Sequence, residues 1–196
     1  MSLGSHFAAI VAPLRLRITR AILAHRIRAR HPTLHADPTA IWDYGYHELD
    51  AIEIGKNVSV GPFAEIIVYR RSRHSNVPGR LVLEDRAIIS MSADIRAAGG
   101  TIRIGENSGV GQHNVLVAAN HQLRPGELHL ASPWDEERTG IDIGKNVWVA
   151  AGCILLPGCV IGDNSVIAAG SVVRGTVPSG EVWGGVPARK IKTIGA

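Results

Sequence analysis

The sequence predicts an all-β chain wound as a parallel β-helix of about five 18-residue coils, and three observations predict it. An aliphatic residue returns every six positions, at Ile143, Val149, Leu155, Ile161, Ile167 and Val173. Four places after each stands a small residue or Val: Val147, Cys153, Cys159, Ser165, Ser171 and Val177. A period of six scatters around a helix axis of 3.6 residues per turn, and Gly or Pro interrupts most units. A short strand followed by a tight corner, with one inward anchor per unit, accounts for both series. The third observation is a recurring start: Ile52-Glu53-Ile54-Gly55, Leu81-Val82-Leu83-Glu84, Ile102-Arg103-Ile104-Gly105 and Ile141-Asp142-Ile143-Gly144, with a fifth at Ile161.

In chain order, residues 1–50 form a basic helical segment and lead-in. Residues 6–30 carry Phe7, Ile10, Val11, Leu14, Ile18, Ile22 and Ile27 roughly on one face, with Pro13 expected to end or kink the first turns. Such a helix either covers one end of the β-helix or packs on a partner subunit, since an open coil end must be capped. Its six Arg residues also allow peripheral contact with an anionic membrane. Residues 31–50 read as loop or short strand.

Residues 51–178 form the coils. Anchors 54, 83, 104, 143 and 161 lie 29, 21, 39 and 18 residues apart. Three hexads take 18 residues, so the first three intervals carry an excess of 11, 3 and 21 residues after the third hexad, on one edge of a triangular prism, and the fourth carries none. The insertions fall at about 72–82, 101–103 and 122–142. Loops on one side of a rigid scaffold are where function tends to sit. Residues 179–196 form a short tail, basic near its end, that covers the last coil.

Composition narrows the function classes. The 196 residues are 45% hydrophobic and 19% charged, with aromatics at 5%, as for one globular domain with an aliphatic core. The net charge of +4 belongs to residues 1–36, which hold six Arg and no acid. The remaining 15 basic residues face 17 acidic ones, so the domain lacks the basic face of a nucleic-acid binder. Cys153 and Cys159 occupy one inward position of consecutive repeats, a spacing that suits neither zinc nor redox chemistry. No run approaches the ~18 apolar residues of a membrane span, and no signal-peptide pattern opens the chain. The expected location is the cytoplasm.

His121 is the candidate catalytic residue. It ends coil three in Ala118-Ala119-Asn120-His121, directly before the longest insertion. A His at that edge has a fixed backbone and a partly exposed ring, which suits a general base near neutral pH.

These segments together are recognisable. Val117-Ala118-Ala119-Asn120-His121, the run from Ile143 to Val149, the run from Pro157 to Val173 and the tail from Gly184 to Lys192 resemble the hexapeptide-repeat acyltransferases. The nearest branches are the maltose, galactoside and nodulation-type sugar O-acetyltransferases and the polysaccharide O-acetyltransferases. The resemblance covers roughly residues 52–192. It implies a left-handed β-helix, a homotrimer with active sites between subunits, acetyl-CoA as co-substrate and no metal. By position, His121 matches the family's base. Trp148 matches an aromatic near the reacting end of the cofactor, and Asn120 belongs with it to the acceptor side. Ala151 and Ala169 match backbone contacts to the pantetheine arm. Arg174, Arg189 and Lys192 match the phosphate and adenine end; the alternative is ordinary solvated surface charge, which fits Arg174 and Lys192 equally well. The maltose and galactoside branch carries Asn-Phe-Asn in its second coil, where this chain has Ile89-Ser90-Met91-Ser92-Ala93-Asp94. Ser90 and Ser92 are the candidate donors there. The first insertion, with Arg70, Arg71, Arg73 and Arg80, is a candidate contact for an anionic acceptor.

The implied activity is acetyl transfer to a hydroxyl of a sugar or polysaccharide precursor. Two alternatives stand beside it. One is a γ-carbonic-anhydrase-like zinc enzyme using His74, His113 and His121. The other is a non-catalytic carbohydrate-binding β-helix.

Overall fold

The computed structural model describes residues 3–44 and 49–195, without the side chains of residues 3–15, 17 and 44. Strands are short, and each successive strand moves to the next of three sheets, so the chain winds around a three-sided prism. The first face holds His35–Ala36, Ser59–Val60, Ile88–Ile89, Gly109–Val110, Trp148–Val149, Val166–Ile167 and Glu181–Gly185. The second holds Ile41–Tyr44, Glu65–Tyr69, Asp94–Ala98, Val115–Val117, Ile154–Leu155 and Val172–Val173. The third holds Ile52–Ile54, Arg80–Leu83, Thr101–Ile104, Ile141–Ile143, Cys159–Ile161 and Thr176–Val177. Strands within each stack pair in parallel with the coils on either side. The result is a mostly β molecule with one long helix, consistent with a left-handed β-helix.

Register follows the six-residue period. Val110 pairs with Val149 and Val149 with Ile167; Leu116 pairs with Leu155 and Leu155 with Val173. All six aliphatic anchors and all six small positions are buried. A slip of one residue would turn each inward side chain outward, so burial itself fixes the register. The small inward positions also admit polar side chains, because the corners leave backbone groups for them. Ser108 donates from Oγ to the Gly144 carbonyl at 2.6 Å and accepts the Val147 amide at 2.9 Å. Asn114 accepts the Cys153 amide at 2.5 Å. Asn57, Asn107, Asn146 and Asn164 take the left-handed conformation at the corner after the third face, which Asn tolerates better than most residues.

Four expectations change. The stack begins before Ile52, because His35–Ala36 and Ile41–Tyr44, placed in the lead-in, pair with Ser59–Val60 and Glu65–Tyr69. Residues 101–103 are not a loop but lie within the strand Thr101–Ile104; the excess lengthens Asp94–Ala98 and the turn at Gly99-Gly100. The tail meets the last coil as a strand and not as a plain cover, Glu181–Gly185 pairing in parallel with Val166–Ile167. Glu181–Gly185 and Ala188–Thr193 form an antiparallel pair that extends the first face, anchored by buried Ala188. The helix runs unbroken from Leu3 to Arg30 through Pro13. Among its described side chains, Leu23 and Ile27 are buried and join the core cluster with Trp42, whereas Ile18 and Ile22 are half exposed. Arg20 reaches Asp43 at 4.0 Å, and Arg28 donates to the carbonyls of Ala36 and Asp37, so the helix covers the first coil. The side chains expected on its face at Phe7, Ile10, Val11 and Leu14 lie outside the described residues.

Candidate active site

Both long loops leave the prism at the edge between the second and third faces, after Glu65–Tyr69 and after Val115–Val117. His121 stands at that edge, half buried. Its Nδ1 lies 2.7 Å from the carbonyl oxygen of Ser132, a buried residue. A carbonyl can only accept, so Nδ1 carries the proton and Nε2 carries the lone pair. That lone pair accepts the indole N–H of Trp134 at 3.2 Å. The long loop returns Trp134 to the edge by a bridge to His121, with Gln122 N bonded to Pro133 O and Asp135 N to Asn120 O, both at 2.8 Å.

The first loop closes over the same place. The His74 carbonyl accepts the Trp134 amide at 2.8 Å, and the His74 ring stacks on the indole with centroids 5.8 Å apart and 19° between planes. The same ring meets His121 edge-on at 5.2 Å. The Glu136 carboxylate accepts the Ser75 hydroxyl at 2.8 Å and the Asn76 amide at 2.7 Å, tying one loop to the other. Those bonds, the Asn76 amide foremost, hold its carboxyl below the usual glutamate range.

A cavity of about 650 Å³ opens beside His121, lined by Asn120, Gln122, Asp135, Arg138, Leu156 and Arg174 among others. Arg174 and Asn120 therefore line the same cavity as His121. The other expected residues do not gather there within one chain. Ser90 and Ser92, the latter in the left-handed conformation, lie at the edge between the first and second faces, as do Ala151 and Ala169. Trp148 is exposed on the first face, and Arg189 and Lys192 are exposed on the strand that extends it. The Ala151 carbonyl accepts the Gly170 amide at 2.9 Å, so Ala151 and Ala169 stack in successive coils as a column of small residues. A Cβ added at Gly152 or Gly170 would meet nothing, so that column faces open space.

The cations of the first insertion are engaged close by rather than aimed into the cavity. Arg70 reaches Asp50 at 3.8 Å, Arg80 pairs with Glu53, and Arg73 donates to His74 at 3.0 Å. His113 sits exposed at the edge between the first and second faces, away from His74 and His121. Both nitrogens of His121 are already bonded, and among the described residues no group of three or more His, Cys, Asp or Glu is placed to hold a metal ion.

Comparison with known proteins identifies the family. A family model described as bacterial transferase hexapeptide (six repeats) matches residues 140–175. Galactoside O-acetyltransferase of Escherichia coli K12 is 37% identical over 94 residues, which are 48% of this chain and 45% of that enzyme. The chain thus spans about half the length of that relative. The putative colanic acid biosynthesis acetyltransferase WcaF of Escherichia coli K12 is 30% identical over 140 residues, covering 71% of this chain and 68% of the relative.

The chain belongs to the hexapeptide-repeat acetyltransferases.

Among solved structures, AntD, an N-acyltransferase from Bacillus cereus solved with dTDP and 3-hydroxybutyryl-CoA, superposes with a TM-score of 0.66 at 21% identity, over 83% of this chain and 80% of that one. At that identity the likeness speaks for the fold.

In this acetyltransferase the orienting group for His121 is the Ser132 carbonyl. The carboxylates of Asp94, Glu127 and Asp135 are engaged elsewhere, with Arg96, with Arg124 and Ser132 Oγ, and with Arg138. A backbone carbonyl leaves no trace in a sequence. Trp134 also escaped sequence reasoning, which names His74 only as a ligand of the alternative zinc enzyme. A signal for Trp134 existed, since it is the one Trp, Tyr or Phe in the 122–142 insertion. The thiols are not nucleophiles here: burial raises Cys153, and burial together with the Asp142 carboxylate pushes Cys159 up to about 12.

Proposed function

We propose that this acetyltransferase moves an acetyl group from acetyl-CoA to a hydroxyl of a sugar or polysaccharide precursor, with His121 as general base. One observation carries the reading: His121, an imidazole whose Nδ1–H is fixed on the Ser132 carbonyl so that Nε2 keeps its lone pair, lines a 650 Å³ cavity. Nε2 takes the acceptor's hydroxyl proton as its oxygen bonds to the thioester carbon. The C–S bond then breaks, and the proton held on Nε2 passes to the departing sulfur. Direct transfer uses no covalent acyl-enzyme, in keeping with thiols that stay neutral.

The donor fits the open column of Ala151 and Ala169, because a thin pantetheine arm lies close only where side chains are small. Arg189 and Lys192 on the adjoining strand would meet its phosphates. That column and His121 occupy different edges of one chain. The reading therefore includes a homotrimer, in which one subunit's column faces its neighbour's His121. The family resemblance and the relatives named for galactoside and colanic acid acetylation support the donor and acceptor classes. The reading places the enzyme in the cytoplasm, with the exposed Ile18, Ile22 and Arg26 of the helix free to touch an anionic membrane surface.

The test is thiol release from acetyl-CoA with a panel of free, nucleotide-linked and amino sugars, read with product mass. A hydroxyl acceptor should emerge, and His121→Ala should lower turnover by about 10² or more while the fold persists. Transfer to amines alone, or near wild-type turnover in His121→Ala, contradicts the reading.

A further inference from the structure

We propose that Trp134 is an acceptor-positioning residue: its indole N–H holds the reactive nitrogen of His121 in the free enzyme and is handed to the acceptor's hydroxyl oxygen when the acceptor binds. The inference rests on the reading of His121 as the base.

The hydrogen-bond inventory of the site carries it. Neutral imidazole has one donor and one acceptor, and Ser132 takes the donor. The acceptor, Nε2, is the atom that must receive the substrate's proton, and Trp134 occupies it at 3.2 Å. An indole N–H can only donate, so it cannot follow the imidazole through proton uptake; once Nε2 is protonated the two donors oppose each other. Trp134 must therefore give way before the base can work. A hydroxyl resolves the exchange without loss. Its proton goes to Nε2, and its oxygen accepts the indole N–H, so two bonds replace one and no donor is stranded. The same pair of bonds fixes the hydroxyl's direction at the base.

The indole is built into this place. Gly99, at φ +67°, lies under it, and a Cβ there would overlap the indole ring. His74 stacks on the ring, and the Trp134 backbone amide bonds to the His74 carbonyl. Scaffold and first insertion thus hold Trp134 from two sides while its N–H reaches His121. The charged and titratable groups around the pair are His74 from the first loop, Asp135 and Arg138 from the second, and Arg174 from the next coil but one.

Two measurements on the whole protein test this. Exchange of the indole protons, followed by NMR in the wild type, should be slower at Trp134 than at Trp148, whose side chain is exposed; His121→Ala should remove the difference. Carbethoxylation by diethyl pyrocarbonate, followed by peptide mass spectrometry, should proceed faster at His121 in Trp134→Phe by about three- to tenfold, the factor that one neutral hydrogen bond supplies. Exposed His35, on the first face, serves as the unchanged reference. Equal indole exchange at Trp134 and Trp148, or an unaltered His121 rate in Trp134→Phe, overturns the proposal; the exchange measurement needs no variant to fold. Should His121→Ala retain acetyl transfer while both measurements behave as expected, the base assignment fails and the hydrogen bond stands. Should His121→Ala lose transfer while Trp134→Phe changes nothing, the base stands and the positioning role fails.

Discussion

Gly99 and Trp134 are 35 positions apart in sequence and share one volume in the fold. Gly99→Ala is expected to lower stability by about 1–2 kcal/mol, the cost of a Cβ in the left-handed region. It should also push the indole off His121. A fall in melting temperature with faster Trp134 indole exchange would agree; an unchanged exchange rate would mean that the ring does not rest on Gly99. The contrast with His121 shows what a single residue reveals from sequence. His121 was legible because its position is set by the repeat immediately before it, and an imidazole at the last position of a coil has few purposes. Trp134 was not, because it stands inside the insertion between His121 and the coil start at Ile141, where no repeat fixes the path of the chain. The Ser132 carbonyl was less legible still, since every residue carries one.

At the scale of the element, the hexad supplied the inward series to the residue, down to Ser165 and Ser171, because burial in a repeating corner leaves one register. Strand limits were harder. The coil at His35–Ala36 and Ile41–Tyr44 has no Ile-x-Ile-Gly start, so the periodic signal fell silent one turn early. Polar residues in the column are structural. Ser108→Ala leaves the Val147 amide without its partner and should cost about 1–3 kcal/mol in denaturant unfolding; a neutral result would mean water or a shifted backbone replaces the hydroxyl. The two loops act as one element through Glu136. Its folded carboxyl titrates below the ordinary value of about 4.3, so its contribution is complete above that pH and is lost as the pH falls through the lower folded value. Glu136→Ala should mimic the acid state at pH 8, with trypsin cutting faster after Arg71 and Arg73. An unchanged cleavage rate would mean that the loops hold without this carboxylate.

Across the whole molecule, the architecture separates the parts that the proposed transfer must join. His121, Asn120 and Arg174 sit on the edge from which the loops leave. Ser90, Ser92, Ala151 and Ala169 lie on another edge, with Trp148, Arg189 and Lys192 on the face beside it. A prism presents its edges in different directions, so one copy cannot fold them together; the proposed trimer would bring one copy's edge against its neighbour's. Sequence reasoning reached these residues through their family positions, which carry no information about which edge each occupies. The deciding measurement uses two variants that damage opposite edges, His121→Ala and Ala151→Trp, the second filling the column proposed for the pantetheine arm. Each alone should release no thiol from acetyl-CoA with an acceptor that the wild type uses. Unfolded together and reassembled into mixed oligomers, they should regain activity, because some interfaces then pair an intact His121 with an intact column. Mixed oligomers that form, as native mass spectrometry would verify, and yet remain inactive would contradict an active site shared between copies.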